Sequence, residues 1–148
     1  VQKIEHADLR VDFLKYFKRA LLSKRMRKGR VCVYLGTVEN ADVCVLIADF
    51  FMRVSSVKWS IVSAICGKKL VVVFRNDGVC RNAGDVAKKS FGAIGSAGGH
   101  KSMARAEIPI PDLEQHVNGK ITYLPVITAP KDAKPFVKEW VEDDGEKV

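Results

Sequence analysis

The stretch GSAGGHKSMAR, residues 95 to 105, combines residue types that can bind an anion. Its glycines allow positive φ angles and a close approach of the backbone, so that peptide N–H groups can reach a phosphate. His100 and Lys101 follow directly and add two side-chain donors. A helix starting near His100 would aim further N–H groups at the anion. We therefore predict that this stretch is a phosphate-binding loop.

The same stretch nearly fits the nucleotide-binding pattern GxxxxGK[ST], read from Gly95 to Ser102. It departs from that pattern because His100 stands where the second glycine is required. The preceding residues 84–92 also predict a helix, whereas a nucleotide-binding loop of this type follows a strand. The sequence therefore argues against a P-loop nucleotide hydrolase.

An arginine ends the strand-like run KLVVVFR, residues 69 to 75. The Arg75 guanidinium can bind a phosphate through two parallel hydrogen bonds, and Lys101 can add a point charge. Metal-assisted hydrolysis would need several converging carboxylates and histidines, and the chain has three histidines and scattered acids. We predict a binding site with no catalytic residue and no metal ligand in this chain.

Hydrophobic periodicity indicates the elements that position these residues. A basic amphipathic helix over residues 8–27 is expected to end at Gly29, and Gly67-Lys68 suits a type II′ turn between two antiparallel strands. The predicted strands are 30–38, 58–65, 69–75, 104–110 and 120–129, and the other predicted helices are 40–53, 84–92, 111–117 and 132–142. The fold class predicted is α/β, a single domain with a mixed β-sheet covered by helices.

Composition limits the class of protein further. The 148 residues are 47% hydrophobic and 28% charged, which excludes a disordered chain, and no apolar run is long enough for a membrane span. The first 20 residues lack the apolar core of a secretion signal, and the four cysteines form no CxxC pair. We expect a soluble, cytoplasmic protein with reduced thiols and no membrane partner.

A net charge of +8 favours polyanionic partners. The densest basic stretch is KYFKRALLSKRMRKGR, residues 15–30, which either tracks a polyanion or forms the solvated face of the first helix. A nucleic-acid-binding module that uses this helix is therefore one alternative function. A regulatory or dimerisation domain with an exposed edge strand around Tyr123 is another.

The order of a strand ending in arginine, a short helix and a Gly-Gly-His loop resembles the DHH-associated C-terminal domain of DHH-family phosphoesterases. The resemblance lies in VVVFRN (71–76) and GSAGGHKSMA (95–104), and Ala97 replaces the usual third glycine of the family's GGGH motif. It implies that Gly98, Gly99 and His100 grip the substrate, that Arg75 is the strand-end arginine, and that Asn76 stands where the family often has serine. Arg105 replaces a small residue and could add a phosphate contact.

In that family a separate N-terminal domain holds the metal ions, and this chain has no Asp-His-His triplet for them. The resemblance implies that residues 1–148 are a substrate-binding domain, and the start at Val1 suggests a fragment lacking the catalytic domain. We expect no cofactor in the fragment, manganese in the N-terminal catalytic domain as its partner in cis, and no hydrolysis by this chain alone. The expected ligand is a single-stranded oligonucleotide, a nucleotide or polyphosphate.

Overall fold

The computed structural model describes residues 10–79 and 81–117. A 3₁₀ turn at Val11–Phe13 leads into four helices and six strands. These are α1 Leu14–Ser23, β1 Arg25–Arg27, β2 Arg30–Val38, α2 Asp42–Met52, β3 Trp59–Cys66, β4 Lys69–Asn76, α3 Ala83–Phe91, β5 Ser96–Gly99, β6 Met103–Pro109 and α4 Ile110–Val117. The predicted strand 120–129, the predicted helix 132–142 and the edge strand around Tyr123 lie outside the described residues.

The six strands form one mixed sheet in the order β1-β2-β3-β4-β6-β5. Strands β2 and β3 are parallel and are joined through α2, and all other neighbours are antiparallel. The predicted fold class, a single α/β domain with a mixed sheet covered by helices, is confirmed.

Each face of the sheet carries its own apolar layer. Helices α1 and α2 cover one face, where Val33, Val62 and Val73 are buried beneath them. Helices α3 and α4 cover the other face, with Phe74 and Phe91 at its centre. Strand β4 contributes to both layers because its successive side chains alternate between the two faces.

The central elements agree with the sequence prediction. Strand β2 matches residues 30–38, and β3 and β4 pair as the predicted hairpin. In its turn Gly67 has φ +66°, and Lys68 is not among the residues with positive φ, as a type II′ turn requires. Helix α2 is an 11-residue buried helix within the predicted range 40–53. No helix in the described ranges is long and apolar enough to cross a membrane.

The predicted first helix is too long. Helix α1 ends at Ser23, and Arg25–Arg27 instead form β1, which pairs with the start of β2. Lys28 and Gly29 have φ +48° and +82°, the two positive values of a type I′ hairpin turn. Gly29 therefore reverses the chain between two strands and does not end a helix. The basic residues 15–30 consequently do not form one continuous helical face.

Candidate phosphate-binding site

The glycine stretch is a β-hairpin. Strand β5 pairs with β6, and the backbone N–H of His100 donates to the Met103 carbonyl over 2.8 Å, which leaves Lys101 and Ser102 at the tip. The prediction of a helix starting near His100 is wrong. The chain stays extended after the tip because β6 pairs with β4 on one side and β5 on the other.

A helix N-terminus does lie at the hairpin, and it belongs to α3. The N–H groups of Ala83 and Gly84 donate to the carbonyls of Lys101 and His100, both over 2.9 Å. Asn82 caps the helix, since its side-chain oxygen accepts from the Asp85 N–H over 3.0 Å. These amides are thus used to hold the hairpin and are not aimed at a ligand.

Two glycines make this contact possible. A Cβ on Gly84 would lie 2.7 Å from the Gly99 carbonyl oxygen, and one on Gly99 would lie 2.5 Å from Ala104 Cα. Gly98 differs, because a Cβ there would meet Lys88 Cε at an ordinary 3.9 Å. Gly84 and Gly99 therefore have a packing role, whereas Gly98 has room for a small side chain.

The tip of the hairpin offers unused donors. Within the described part of the chain, the backbone N–H groups of Lys101 and Ser102 have no acceptor. The side chains of His100 and Lys101 are exposed beside them. Two open amides, an imidazole and an ammonium group can together surround a phosphate oxygen.

The sheet register places Arg75 and Arg105 on the same face as His100. Met103 lies between Arg75 on β4 and His100 at the hairpin, and Arg105 lies between Val73 and Gly98. Side chains of cross-strand partners share a face of the sheet. Val73, the partner of Arg105, is buried in the layer under α2, so these residues lie on the face of the sheet that α2 covers. The register thus places Arg75, Gly98, His100 and Arg105 on this face, with Lys101 at the hairpin tip, whereas Gly99 pairs with Ala104 and belongs to the α3 face.

An ion pair from helix α2 holds Arg75. Its Nη1 lies 2.5 Å from Asp49 Oδ1, and the arginine side chain is 25% exposed. Its Nε is buried and donates to no group among the described residues, and the fully buried Ser60 Oγ on the paired position of β3 also lacks a partner there. Arg75 thus has donor capacity left after binding Asp49.

Arg105 is also partly neutralised. Its Nε donates to Glu107 Oε2 over 2.9 Å, and the same carboxylate accepts from Lys69 Nζ at 3.4 Å. The Arg105 side chain remains 41% exposed. This contact directs the guanidinium along β6 toward Glu107, while the Arg105 backbone pairs with Gly98.

Asn76 is part of the scaffold. It is buried, its side-chain nitrogen donates to the Arg81 carbonyl over 2.6 Å, and its side-chain oxygen accepts from the Gly78 N–H over 2.7 Å. Its own N–H donates to the Ser102 carbonyl over 3.1 Å. Asn76 therefore ties the loop after β4 to the hairpin tip, and both polar atoms of its side chain bind backbone groups of that loop.

Two other features of the described residues lie apart from this site. A cavity of about 610 Å³ opens at the opposite end of β6, lined among others by Lys69, Ser96, Glu107 and Asp112. Its two carboxylates make it a poor phosphate site. No group of three His, Cys, Asp or Glu side chains in the described ranges could share a metal ion. Within these ranges, the side chains present do not fit a manganese site.

Sequence reasoning missed Asp49 and Ser60. The available signal for Asp49 was a carboxylate inside the apolar run VCVLIADFF, where burial without a cation would be costly. Nothing in the sequence singles out Ser60, because the β3–β4 register that sets it opposite Arg75 is a property of the folded sheet.

Comparisons with known proteins give likenesses at low identity. No protein-family model matches the chain. The uncharacterized protein MJ1633 of Methanocaldococcus jannaschii is 27% identical over 108 residues, which are 72% of this chain and 22% of that protein. A pGpG-specific phosphodiesterase, PggH of Vibrio cholerae, is 17% identical with a TM-score of 0.46, over 69% of this chain and 35% of that one.

An exopolyphosphatase-related protein of Bacteroides fragilis is the more extensive structural likeness of the two. The superposition covers 99% of this chain and 41% of the exopolyphosphatase-related protein, at 12% identity and a TM-score of 0.60. This chain therefore spans less than half of each of these three proteins. It shares its fold with a part of the exopolyphosphatase-related protein.

Proposed function

We propose that this chain is the substrate-binding lobe of a DHH-family metal-dependent phosphoesterase. In this proposal it grips a phosphate of a short oligonucleotide, nucleotide or polyphosphate, and a separate catalytic domain hydrolyses the substrate. The fold shared with a part of an exopolyphosphatase-related protein supports the proposal, as does the GGGH-like motif of the hairpin.

The observation that carries the proposal is the hairpin tip. Its two central amides have no acceptor in the described part of the chain, the exposed His100 and Lys101 lie beside them, and the register places Arg75 across β6 on the same face. Gly84 and Gly99 let helix α3 pack closely against the hairpin that carries these groups. We infer that this rigid contact fixes the donors before the ligand arrives, which lowers the entropic cost of binding.

Each residue has a distinct role in the proposal. The amides of Lys101 and Ser102 bind one phosphate oxygen, and His100 donates a further hydrogen bond. Arg75, held by Asp49, neutralises the phosphate charge, while Arg105 contacts the part of the substrate that lies over Gly98. The described residues do not supply a metal-binding cluster, so we assign manganese to the catalytic domain and derive no step through it.

Titration of the chain with a nucleoside bisphosphate tests this assignment. We expect His100→Ala and Arg75→Gln each to weaken binding at least tenfold at moderate salt, because each loses a direct or charge-assisted hydrogen bond. Lys68→Ala, at the opposite end of the sheet, is the matched control and should bind as the parent chain does. Circular dichroism establishes that each variant is folded.

Unchanged binding by both site variants would contradict the proposal. If Lys15→Ala and Lys18→Ala on α1 reduced binding instead, the basic helix would be the polyanion site.

A further inference from the structure

We propose that the end of the sheet carrying the hairpin tip also binds the internal phosphates of a single-stranded oligonucleotide. This inference rests on the proposed function and specifies its substrate class. The surface, which we call the basic rim, consists of five exposed cationic residues: Lys28, Arg53, Lys58, Arg81 and Lys101.

The topology brings these five residues to one end of the sheet. Lys28 lies in the β1–β2 turn, and Lys58 immediately precedes β3, which runs parallel to β2. Helix α2 connects those parallel strands and must run back between them, so Arg53 at its C-terminus lies at the same end. Arg81 follows the end of antiparallel β4, and Lys101 follows the end of β5.

Backbone contacts join neighbouring parts of the rim. The Gly29 carbonyl accepts from Lys58 N–H at 2.6 Å, which sets the β1–β2 turn against the start of β3. Asn76 donates its side-chain N–H to the Arg81 carbonyl over 2.6 Å and its backbone N–H to the Ser102 carbonyl over 3.1 Å. Between them, Trp59 at the start of β3 pairs with Asn76 at the end of β4, so the four chain connections lie side by side along this edge.

The charges of the rim are not neutralised locally. No acidic side chain within the described ranges pairs with any of the five residues. Asp49, which binds Arg75, and Asp77 and Asp85 lie at this end and are outnumbered by the cations there, while Glu39, Asp42, Asp112 and Glu114 belong to the opposite end. One end of the molecule is thus strongly positive, which attracts a chain of phosphates.

The length of the rim distinguishes an oligonucleotide from a mononucleotide. Four strand spacings separate β2 from β5, and at about 4.8 Å each they span about 19 Å. A nucleic acid strand carries one charge per about 3.4 Å of helical rise, so several phosphates fit along this edge. Exposed apolar side chains, Val54, Val79 and Met103, accompany the cations and give bases a surface to contact. Polyphosphate has no such apolar groups, so we favour the oligonucleotide.

The test measures the affinities of a dinucleotide and a single-stranded octanucleotide, both with a terminal phosphate. Each is titrated into the parent chain and into two double variants that have the same net charge as each other. We expect Lys28→Glu/Lys58→Glu to bind the octamer at least tenfold more weakly and the dinucleotide within twofold of the parent. Its salt slope for the octamer should fall by about 1.4, at about 0.7 per lost phosphate contact. The control Lys18→Glu/Lys68→Glu, on α1 and in the far turn, should leave the octamer affinity within about threefold.

Any of three outcomes would overturn the proposal for the rim. The parent chain could bind the dinucleotide and the octamer with equal affinity, or the two double variants could lose equal octamer affinity. In the third outcome, polyphosphate of matched charge would compete as well as the octamer does. His100→Ala separates the two proposals. If it abolishes dinucleotide binding while the rim variant does nothing, the proposed function stands and the rim fails. If it has no effect on either ligand while the rim variant weakens the octamer, the rim stands and the hairpin is not the phosphate grip.

Discussion

Gly98 and Gly99 are adjacent in the sequence but have different structural requirements. A Cβ at Gly99 would lie 2.5 Å from Ala104 Cα, within the backbone of the paired strand, which cannot move without breaking β6 from β5. A Cβ at Gly98 would meet a flexible lysine side chain at van der Waals distance. Replacing each glycine by alanine therefore distinguishes the glycine that close packing requires from the one that it does not require.

We predict that Gly99→Ala lowers the free energy of unfolding by about 2–4 kcal/mol, as overpacked backbone contacts do. Gly98→Ala should change it by less than about 1 kcal/mol. Urea denaturation followed by circular dichroism measures both values. Equal stabilities of the two variants would show that the close approach of β5 and β6 at Gly99 is not required.

The sequence indicated the donors of the site but not their surroundings. Arg75, His100 and Lys101 could be singled out because guanidinium, imidazole and ammonium groups beside glycines are the residue types that bind phosphate. Asp49 pairs with Arg75 from an element 26 positions earlier, and Asn76 binds backbone groups of its own loop. Contacts of these kinds depend on packing between elements, which local patterns do not encode.

The start of helix α3 is the element on which the hairpin rests. Asn82 caps it, and the next two amides bind the hairpin carbonyls. The positive end of the helix dipole therefore lies next to the proposed phosphate, although its N–H groups are already used. Substitutions of Asn82 can therefore change the stability of the helix and the charge at its N-terminus independently.

We predict that Asn82→Ala lowers the free energy of unfolding by about 1 kcal/mol because the capping acceptor is lost. Asn82→Asp keeps an acceptor and should retain the stability, but its added negative charge should weaken phosphate binding severalfold. Thermal denaturation and nucleoside bisphosphate titration of both variants measure the two effects. Stronger binding by the aspartate variant would argue against a phosphate at this helix end.

Elements with a strong periodic pattern were predictable, and the two short strands were not. The β3–β4 hairpin and α2 follow from β-branched alternation and from a long apolar run, respectively. Strand β1 is the basic sequence RMR, and β5 is SAGG, and neither has β-forming residues. Both are edge strands whose conformation is imposed by the neighbouring strand.

At the scale of the whole molecule, the thiol of Cys44 reports on the integrity of the core beneath α2. Cys44 is fully buried, and burial raises its pKa to about 12, a shift that nearby Arg105 reduces and Cys66 adds to. The thiol must stay protonated in the folded chain, whereas in the unfolded chain it ionises near its ordinary pKa of about 8.5. Folding is therefore favoured fully below that value and progressively less above it.

We predict that raising the pH from about 8.5 towards 12 lowers the free energy of unfolding, with Cys44 contributing at most about 1.4 kcal/mol per pH unit. Cys44→Ala should be less stable at pH 7 but should show a shallower alkaline decline. Chemical denaturation at a series of pH values measures this slope. Rapid modification of Cys44 by a thiol reagent under native conditions would contradict its burial.

Strand β6 carries buried and partly exposed side chains in alternation within seven residues. Ala104, Ala106 and Ile108 are buried in the layer under α3, so their sizes are fixed by the core. Met103, Arg105 and Glu107 alternate with them and remain partly exposed on the other face. A lineage, or a mutant library, could therefore exchange the second set to change what is bound while leaving the first set, and the fold, intact.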